Sequence, residues 1–274
     1  MTTRITRPVL RWHGGKWCLA KWIISNFAPH RIYTEAYGGA GSVLLRKPRS
    51  YAEVYNDLDG EVVNLFRLLQ RPDTASLVKR RLEMTPFARQ EFELAYEKTV
   101  DPIESACRLV IRSFMGFGSN GHNAENRTGF RAKSNRSGTI PAHDWKNYPD
   151  ILEAIVDRLR GVVIENKEAK DVIRQHDGPE TLHYVDPPYL AATRDPGNDY
   201  RFEMTNQQHQ QLAETLNRCK GMVVLSGYPA AEYEMYYAGW HRIYKEAFAD
   251  GARKRTEVLW MNEATYKNNG SLFA

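Results

Sequence analysis

The chain has 274 residues, enough for one large domain or for a core domain with an insertion, and its net charge of +5 favours a polyanionic partner. Its three cysteines, Cys18, Cys107 and Cys219, are scattered, which excludes a disulfide framework and Cys/His zinc spacing and indicates a reducing compartment. No apolar run is long enough to span a membrane and no apolar signal segment begins the chain, so we expect a cytoplasmic protein without a membrane partner.

The N-terminal segment places an aromatic residue, two glycines and a lysine close together, as Trp12-His13-Gly14-Gly15-Lys16. Such a segment can form a lid over an adenosine-type ligand, with Lys16 as the cation for a carboxylate. The alternative interpretation is a loop that carries an ordinary surface lysine.

A predicted strand at residues 32–37 leads into a glycine loop, which is predicted to open a helix. Gly38, Gly39 and Gly41 allow positive φ angles and a close approach of the backbone to a ligand. The loop has neither the Gly-Lys-Ser/Thr of a Walker A loop nor dinucleotide-binding spacing, so neither a nucleoside triphosphate nor a dinucleotide is indicated. A tight turn from strand to helix is the alternative.

A second predicted strand at residues 51–55 ends at Asn56-Asp57-Leu58-Asp59, and a helix is predicted at residues 58–70. An acid at the end of the second strand is placed to bind ribose hydroxyls, and Asp57 and Asp59 compete for this role. Capping of the helix is the alternative role for both.

The middle of the chain has a different pattern from either end. Helices are predicted at residues 75–84, 87–98 and 103–115, followed by a polar stretch, residues 116–143, rich in Gly, Asn, Ser and Arg. From residue 151 the α/β pattern resumes, with strands predicted at 161–164, 182–185, 222–225 and 258–261 and helices at 169–176 and 206–218. We therefore predict one α/β domain (1–70 and 149–274) interrupted by an inserted domain (71–148).

The segment Asp186-Pro187-Pro188-Tyr189 directly follows the predicted strand at residues 182–185. In open α/β sheets, active sites lie beyond the carboxyl ends of the strands. The two prolines have no N–H group, so this turn exposes carbonyl groups instead. Asp186 and the Pro187 carbonyl can accept the hydrogens of an exocyclic amino group while the face of Tyr189 stacks on the base. A strand end stiffened by proline, without chemistry, is the alternative.

These segments, in this order, resemble the D12 class of Dam-type DNA adenine N6-methyltransferases. The resemblance rests on the following residues: Trp12 to Lys16, Glu35 to Val43, Asn56-Asp57, and Asp186 to Tyr189. It spans most of the chain except the middle insertion. Two departures are Ala36, where the family loop usually has proline, and Glu168, near the position where an aspartate is expected to contact the cofactor adenine.

The resemblance implies an α/β fold of the S-adenosylmethionine-dependent methyltransferase type. This fold is Rossmann-like, with a mostly parallel seven-stranded sheet and, here, an inserted and mainly helical target-recognition domain. The implied catalytic residues are Asp186, Pro187 and Tyr189. The implied residues for S-adenosylmethionine are Trp12, Lys16, Glu35, Gly39, Gly41, Ser42, Asp57, Glu168 and Asp186. No metal and no obligatory protein partner are expected.

Double-stranded DNA is the implied partner, because the insertion occupies the place of the target-recognition domain. The residues predicted to contact DNA are Arg112, Asn120, Arg127, Arg131, Lys133 and Arg136. Arginine reads guanine edges, whereas lysine and asparagine suit phosphates. A basic, glycine-rich loop without a ligand is the alternative.

The leading functional prediction is methyl transfer from S-adenosylmethionine to N6 of an adenine flipped out of the duplex. One alternative is an RNA or cytosine-N4 methyltransferase, although aspartate at the first motif position is associated with adenine in the family. The other is a DNA-binding protein that has lost turnover. Loss of turnover predicts decay of the motifs, yet Asp186, Tyr189, Gly39 and Gly41 are all present.

Overall fold

The computed structural model describes residues 5–118, 127–132, 140–194, 200–248 and 254–270. The chain forms two compact units: the first comprises Met1–Trp17, Gly39–Leu45 and Asp59–Arg160, and the second comprises Cys18–Gly38, Arg46–Leu58 and Gly161–Ala274. The boundaries of these two units separate compact parts of the structure. The predicted boundaries at residues 70 and 148 separate parts with different functions. The assignment of a catalytic domain and a target-recognition domain therefore stays a prediction.

The second unit contains a seven-stranded sheet. Its strands are β1 (Ile32–Glu35), β2 (Ala52–Asn56), β3 (Val162–Glu165), β4 (Thr181–Val185), β5 (Met222–Gly227), β6 (His241–Phe248) and β7 (Lys254–Met261). The strand order is β3-β2-β1-β4-β5-β7-β6, in which only the β5–β7 and β7–β6 pairs are antiparallel. This confirms the predicted α/β fold with a mostly parallel sheet.

The central strands were predictable because they are buried on both faces. Every residue of β4 and β5 is buried, and such strands have continuous apolar runs rather than alternating ones. The edge strand β6 was not predicted, because its charged and mostly exposed residues resemble a loop; charged side chains are typical of sheet edges. Its partner β7 begins at Lys254, earlier than the predicted start at residue 258.

The second unit also contains the helices α1 (Ala20–Ser25), α8 (Ala169–His176), α9 (Asn206–Leu216), α10 (Ala231–Tyr236) and α11 (Glu263–Asn268). Side chains from α8, α9 and α10 share one hydrophobic core with β4, β5 and β7, in which Trp260 is fully buried. Helix α9 begins with a capping box, in which Thr205 and Gln208 satisfy each other's backbone N–H groups. The sheet residues that precede the candidate site are therefore held in a packed interior.

The described part of the first unit contains the helices α2 (Gly60–Leu69), α3 (Pro72–Met84), α4 (Arg89–Leu94), α5 (Pro102–Met115), α6 (Pro141–Lys146) and α7 (Leu152–Leu159). Proline at the first turn and Asp101 as the N-cap define the start of α5. The N-terminal segment is attached to this helix through Ser113, whose hydroxyl donates to the Arg11 carbonyl at 2.9 Å and accepts from the Arg11 N–H at 2.7 Å. No described helix is long and apolar enough to cross a membrane.

Two helix predictions in this part of the chain need correction. Helix α4 is shorter than the predicted 87–98, since the N–H groups of Tyr96 and Glu97 form turn-type hydrogen bonds to residues three positions earlier. The predicted helix after the glycine loop is absent, and residues 42–46 form turns. Pro48 provides a reason, because the residue before a proline is disfavoured in the α conformation and the short segment has no room for a stable helix.

Candidate active site

The direction in which the sheet grows changes between β1 and β4. From β1 the chain continues to β2 on one side, and from β4 to β5 on the other side, so the carboxyl ends of β1 and β4 flank the topological switch point. Glu35 pairs with Tyr184, and the Ala36 N–H donates to the Tyr184 carbonyl at 3.4 Å. The segment after β1 therefore starts beside Asp186, where open parallel sheets bind their ligands.

Asp186 is half-buried at the end of β4, and both Pro187 and Tyr189 are buried. The Tyr189 hydroxyl donates to Oε2 of Glu257 at 2.8 Å. Burial raises the pKa of Tyr189 well above its ordinary value, and the nearby carboxylates of Asp186 and Glu257 raise it further. The phenol is therefore protonated at neutral pH and acts as a hydrogen-bond donor in this cluster.

Asn56, the last residue of β2, joins three neighbouring strand ends. Its side-chain amide donates to the carbonyls of Ala36 at 2.9 Å and Lys167 at 3.1 Å, and its oxygen accepts from the Lys167 N–H at 3.0 Å. Its backbone carbonyl accepts from the Gly38 N–H at 2.7 Å. From the sequence Asn56 was noted only as a neighbour of Asp57; the usable signal was an amide at the end of an apolar strand.

Asp57 and Glu168 lie near the same aromatic ring. Burial raises the pKa of Tyr37 above its ordinary value, and the carboxylates of Glu168 and then Asp57 raise it further. The carbonyl of Asp57 also accepts from the side-chain amide of Asn166 at 2.7 Å. Two acidic residues predicted to bind the cofactor thus occupy one neighbourhood, beside the segment that follows β1.

The start of α2 gives Asp59 a structural role. Asp59 is the N-cap of this helix, and its carboxylate accepts from the Glu61 N–H at 2.9 Å. The capping interpretation is therefore confirmed for Asp59, while Asp57 follows β2 at the edge of the sheet that carries Asp186. Asp57 is the better candidate for ribose hydroxyls.

The glycines of the loop serve different purposes. Gly39 and Gly41 have positive φ angles of 46° and 61°, as expected, but Gly38 does not have a positive φ. A Cβ on Gly38 would lie 2.1 Å from Cε2 of Tyr55, so this glycine is required by packing. A Cβ on Gly39 would lie 2.7 Å from the indole nitrogen of Trp12, which brings together two predicted cofactor-binding residues.

The other predicted cofactor-binding residues are all polar groups with little exposure. Lys16 is buried and its ammonium donates to the Gly14 carbonyl at 2.6 Å. Glu35 is buried and accepts from the Tyr33 hydroxyl at 2.7 Å. Ser42 is buried in the loop after Gly41. Glu35, Asp57, Glu168 and Asp186 belong to the second unit, whereas Trp12, Lys16, Gly39, Gly41 and Ser42 belong to the first.

Comparison with known proteins assigns the chain to a family. The family model described as "D12 class N6 adenine-specific DNA methyltransferase" matches residues 12–249. The chain belongs to this family. It is also similar to the DNA adenine methylases of Salmonella typhi and of Salmonella typhimurium strain LT2, each 23% identical over 240 residues that cover 84% of this chain and 84% of the relative. It is thus an enzyme that methylates adenine in DNA.

One predicted DNA contact of this methyltransferase needs correction. Arg112 is only 2% exposed. Its guanidinium donates to the Ala95 carbonyl at 2.7 Å and to the Glu61 carboxylate at 2.7 Å. A group held in this way cannot reach a phosphate or a base without breaking both hydrogen bonds, and a buried charge without its partner is strongly destabilising. Arg112 therefore stabilises the helices of the first unit.

The remaining predicted DNA contacts differ in what the described residues show. Arg127 is exposed, and its guanidinium carbon lies 5.2 Å from the centre of the Tyr96 ring. Arg131 is more enclosed, with its guanidinium 3.9 Å from the Asp144 carboxylate. Asn120, Lys133 and Arg136 lie outside the described residues. Arg127 is therefore the described member of the set that is most accessible to a nucleic acid.

Proposed function

We propose that this DNA adenine methyltransferase uses S-adenosylmethionine and acts on N6 of an adenine flipped out of double-stranded DNA. The observation that carries the proposal is the position of Asp186-Pro187-Pro188-Tyr189 after β4, beside the end of β1 at the switch point of the sheet. Flipping is included because the amino group of a base inside a duplex is out of reach of Asp186, and extrusion costs a few kcal/mol that contacts to the flipped base can recover.

The proposed chemistry depends on making a weak nucleophile stronger. The N6 lone pair of adenine is delocalised into the ring, so N6 must move toward a tetrahedral geometry before it can attack. Asp186 and the Pro187 carbonyl would accept the two amino hydrogens and favour that geometry, while Tyr189 would stack on the base. S-adenosylmethionine supplies the methyl group, bound to a sulfonium sulfur. Burial raises the pKa of Cys107 and of Cys219 to about 12, so these two thiols are protonated at neutral pH.

The polar groups at the strand ends fit this cofactor. A carboxylate such as Asp57 suits ribose hydroxyls, and Glu168 near Tyr37 suits the amino group of the cofactor adenine. Asp186 would contact both cofactor and base, and Glu35 would support the segment after β1. The proposal assigns Trp12, Gly39, Gly41 and Ser42 to the cofactor as well, with Lys16 as the cation for its carboxylate.

Replacement of Asp57 by alanine is expected to weaken S-adenosylmethionine binding by about 1.5–3 kcal/mol, because a hydrogen bond to a charged group is removed. Isothermal titration calorimetry measures the change. Asp59→Ala is the matched control: it removes the cap of α2, which should lower the free energy of unfolding by about 0.5–2 kcal/mol and leave cofactor affinity unchanged. Equal affinities in Asp57→Ala and the wild type would exclude Asp57 from the site.

Replacement of Arg127 by alanine is expected to weaken duplex binding and to flatten its salt dependence, since a complex that neutralises one phosphate fewer releases fewer counterions. The slope of log K against log salt should fall by about 0.9 for each phosphate that the variant no longer neutralises. Fluorescence anisotropy over a salt series measures it. Arg218→Ala is the control. This exposed arginine lies before the amino end of β5, whereas Asp186 follows the carboxyl end of β4. An unaltered slope in Arg127→Ala would make this part of the insertion a plain surface loop.

The decisive experiment identifies the product. The protein is incubated with labelled S-adenosylmethionine and, separately, with duplex DNA and RNA, and the modified nucleosides are identified by mass spectrometry. The proposal requires N6-methyladenine in duplex DNA without added metal. Label on cytosine N4 or on RNA would replace the proposed substrate, and a strict requirement for a divalent metal would contradict the proposed chemistry.

A further inference from the structure

Glu257 is a buried carboxylate at the candidate site that the sequence did not single out. Glu257 is 7% exposed, and its partner Tyr189 is 4% exposed. The two are joined by a hydrogen bond of 2.8 Å, in which the Tyr189 hydroxyl donates to Oε2 of Glu257. A catalytic-motif side chain is thus tied to a strand far from it in sequence.

The antiparallel direction of β7 explains how Glu257 reaches this place. Gly227, the last residue of β5, pairs with Val258 of β7. Glu257 precedes Val258, so it lies next to the position of Tyr228, just beyond the carboxyl end of β5. An early residue of an antiparallel strand therefore arrives at the edge where the parallel strands β1 and β4 end.

The Tyr189 side chain is held at two points. Glu257 binds its hydroxyl, and the ring of Tyr228 packs against its ring at a centroid distance of 4.7 Å and an interplanar angle of 74°. Edge-to-face pairs of this kind prefer a defined geometry. Because the Tyr189 ring is held at its hydroxyl and packed against a second ring, it has little freedom to tilt.

Packing alone does not require a carboxylate at this position. An apolar side chain of similar volume would fill the space without the desolvation penalty of a buried charge. The carboxylates of Asp186 and Glu257 both raise the pKa of Tyr189, and Glu257 is the one that accepts a hydrogen bond from its hydroxyl. Glu257 introduces negative charge near Asp186 and, in return, holds the hydroxyl of the aromatic residue that the mechanism uses.

We propose that Glu257 is a positioning residue for methyl transfer, which holds Tyr189 by its hydroxyl so that the ring presents adenine N6 to Asp186. This inference rests on the proposed stacking of Tyr189 on the target base. It also adds a function for the hydroxyl. If only the ring face held the target base, as the sequence predicts, Tyr189→Phe would retain much of the activity. If Glu257 acts through the Tyr189 hydroxyl, Tyr189→Phe must lose a definite part of the activity.

The test uses four variants of the full chain: Glu257→Leu, Glu257→Gln, Tyr189→Phe and the Tyr189→Phe/Glu257→Leu double variant. Single-turnover methylation is measured on duplex DNA prepared without N6-methyladenine. Glu257→Leu and Tyr189→Phe should each reduce the rate about tenfold, because each removes the same hydrogen bond. Glu257→Gln should keep most of the rate, since its amide oxygen still accepts from the phenol.

The double variant separates positioning from a general loss of structure. If the two residues act through one bond, the double variant should be no slower than either single variant, whereas independent effects would multiply to about a hundredfold. The effect should lie in kcat, with the KM for S-adenosylmethionine unchanged. A folded Glu257→Leu with the wild-type rate, a Glu257→Gln as slow as Glu257→Leu, or multiplying effects would each overturn the inference. A wild-type protein that makes no N6-methyladenine would instead refute the proposed function.

Discussion

Asp186→Ala is expected to abolish methyl transfer, with a fall in the single-turnover rate of at least about 10²–10³, the range seen when one group that stabilises developing charge is removed. The carboxylate is the acceptor for the amino hydrogens of the target base, and alanine offers no acceptor. The measurement is the rate of N6-methyladenine formation at saturating S-adenosylmethionine, so that any loss of cofactor affinity does not enter.

Asp186→Asn tests whether the charge of the acceptor matters. Asparagine has the same size and keeps one acceptor oxygen for the adenine amino group but carries no negative charge, so this variant should be slower than the wild type and faster than Asp186→Ala. Asp171→Ala, at an exposed acid of α8, serves as the control and should have the wild-type rate. A folded Asp186→Ala protein that methylates at close to the wild-type rate would contradict the mechanism.

Gly38→Ala is expected to have the largest effect on stability among the loop substitutions. A Cβ at this position would lie 2.1 Å from Cε2 and 2.6 Å from Cδ2 of Tyr55, a fully buried ring in β2. Neither the backbone nor the ring can move cheaply, because the Gly38 N–H is bonded to the Asn56 carbonyl. Such overpacking typically costs about 1–3 kcal/mol of the free energy of unfolding.

Urea unfolding of the variant and the wild type measures this cost, and Gly178→Ala is the matched control. Gly178 lies in the same unit, has no positive φ angle, and would place its Cβ 3.8 Å from the Thr181 hydroxyl, an ordinary contact. The control should be neutral or slightly stabilising, because alanine restricts the unfolded chain more than glycine does. Equal unfolding free energies for the two variants would show that Tyr55 does not constrain Gly38.

Neighbouring residues along the chain determine a good part of this protein. The apolar runs of β1, β2, β4 and β5 predict buried strands wherever they occur, and the residues that follow each run are delivered to the same sheet edge. For this reason Asp57 and Asp186 could be predicted as site residues without knowledge of their contacts. The family resemblance added the order of the motifs, which matched the family over residues 12–249.

Burial and hydrogen-bond partners that depend on residues distant in sequence could not be predicted from neighbouring residues. Arg112 has the sequence context of a DNA contact, yet Glu61 and the Ala95 carbonyl surround it, since α2 and α5 belong to one helical unit. Gly38 resembles a glycine with positive φ, yet Tyr55 is the reason that no larger residue fits. In each case the deciding neighbour comes from another segment of the chain.

Glu257 shows the same limit most clearly. Beside the charged residues at the start of β7, a single glutamate resembles a solvated side chain. Only the antiparallel pairing of β7 with β5 brings it to the Tyr189 hydroxyl. Local sequence thus determined the buried central strands and the motif at the end of β4. The tertiary structure alone decided which charges are buried and which partners they have, because burial and hydrogen bonding are set by residues that meet only after the chain has folded.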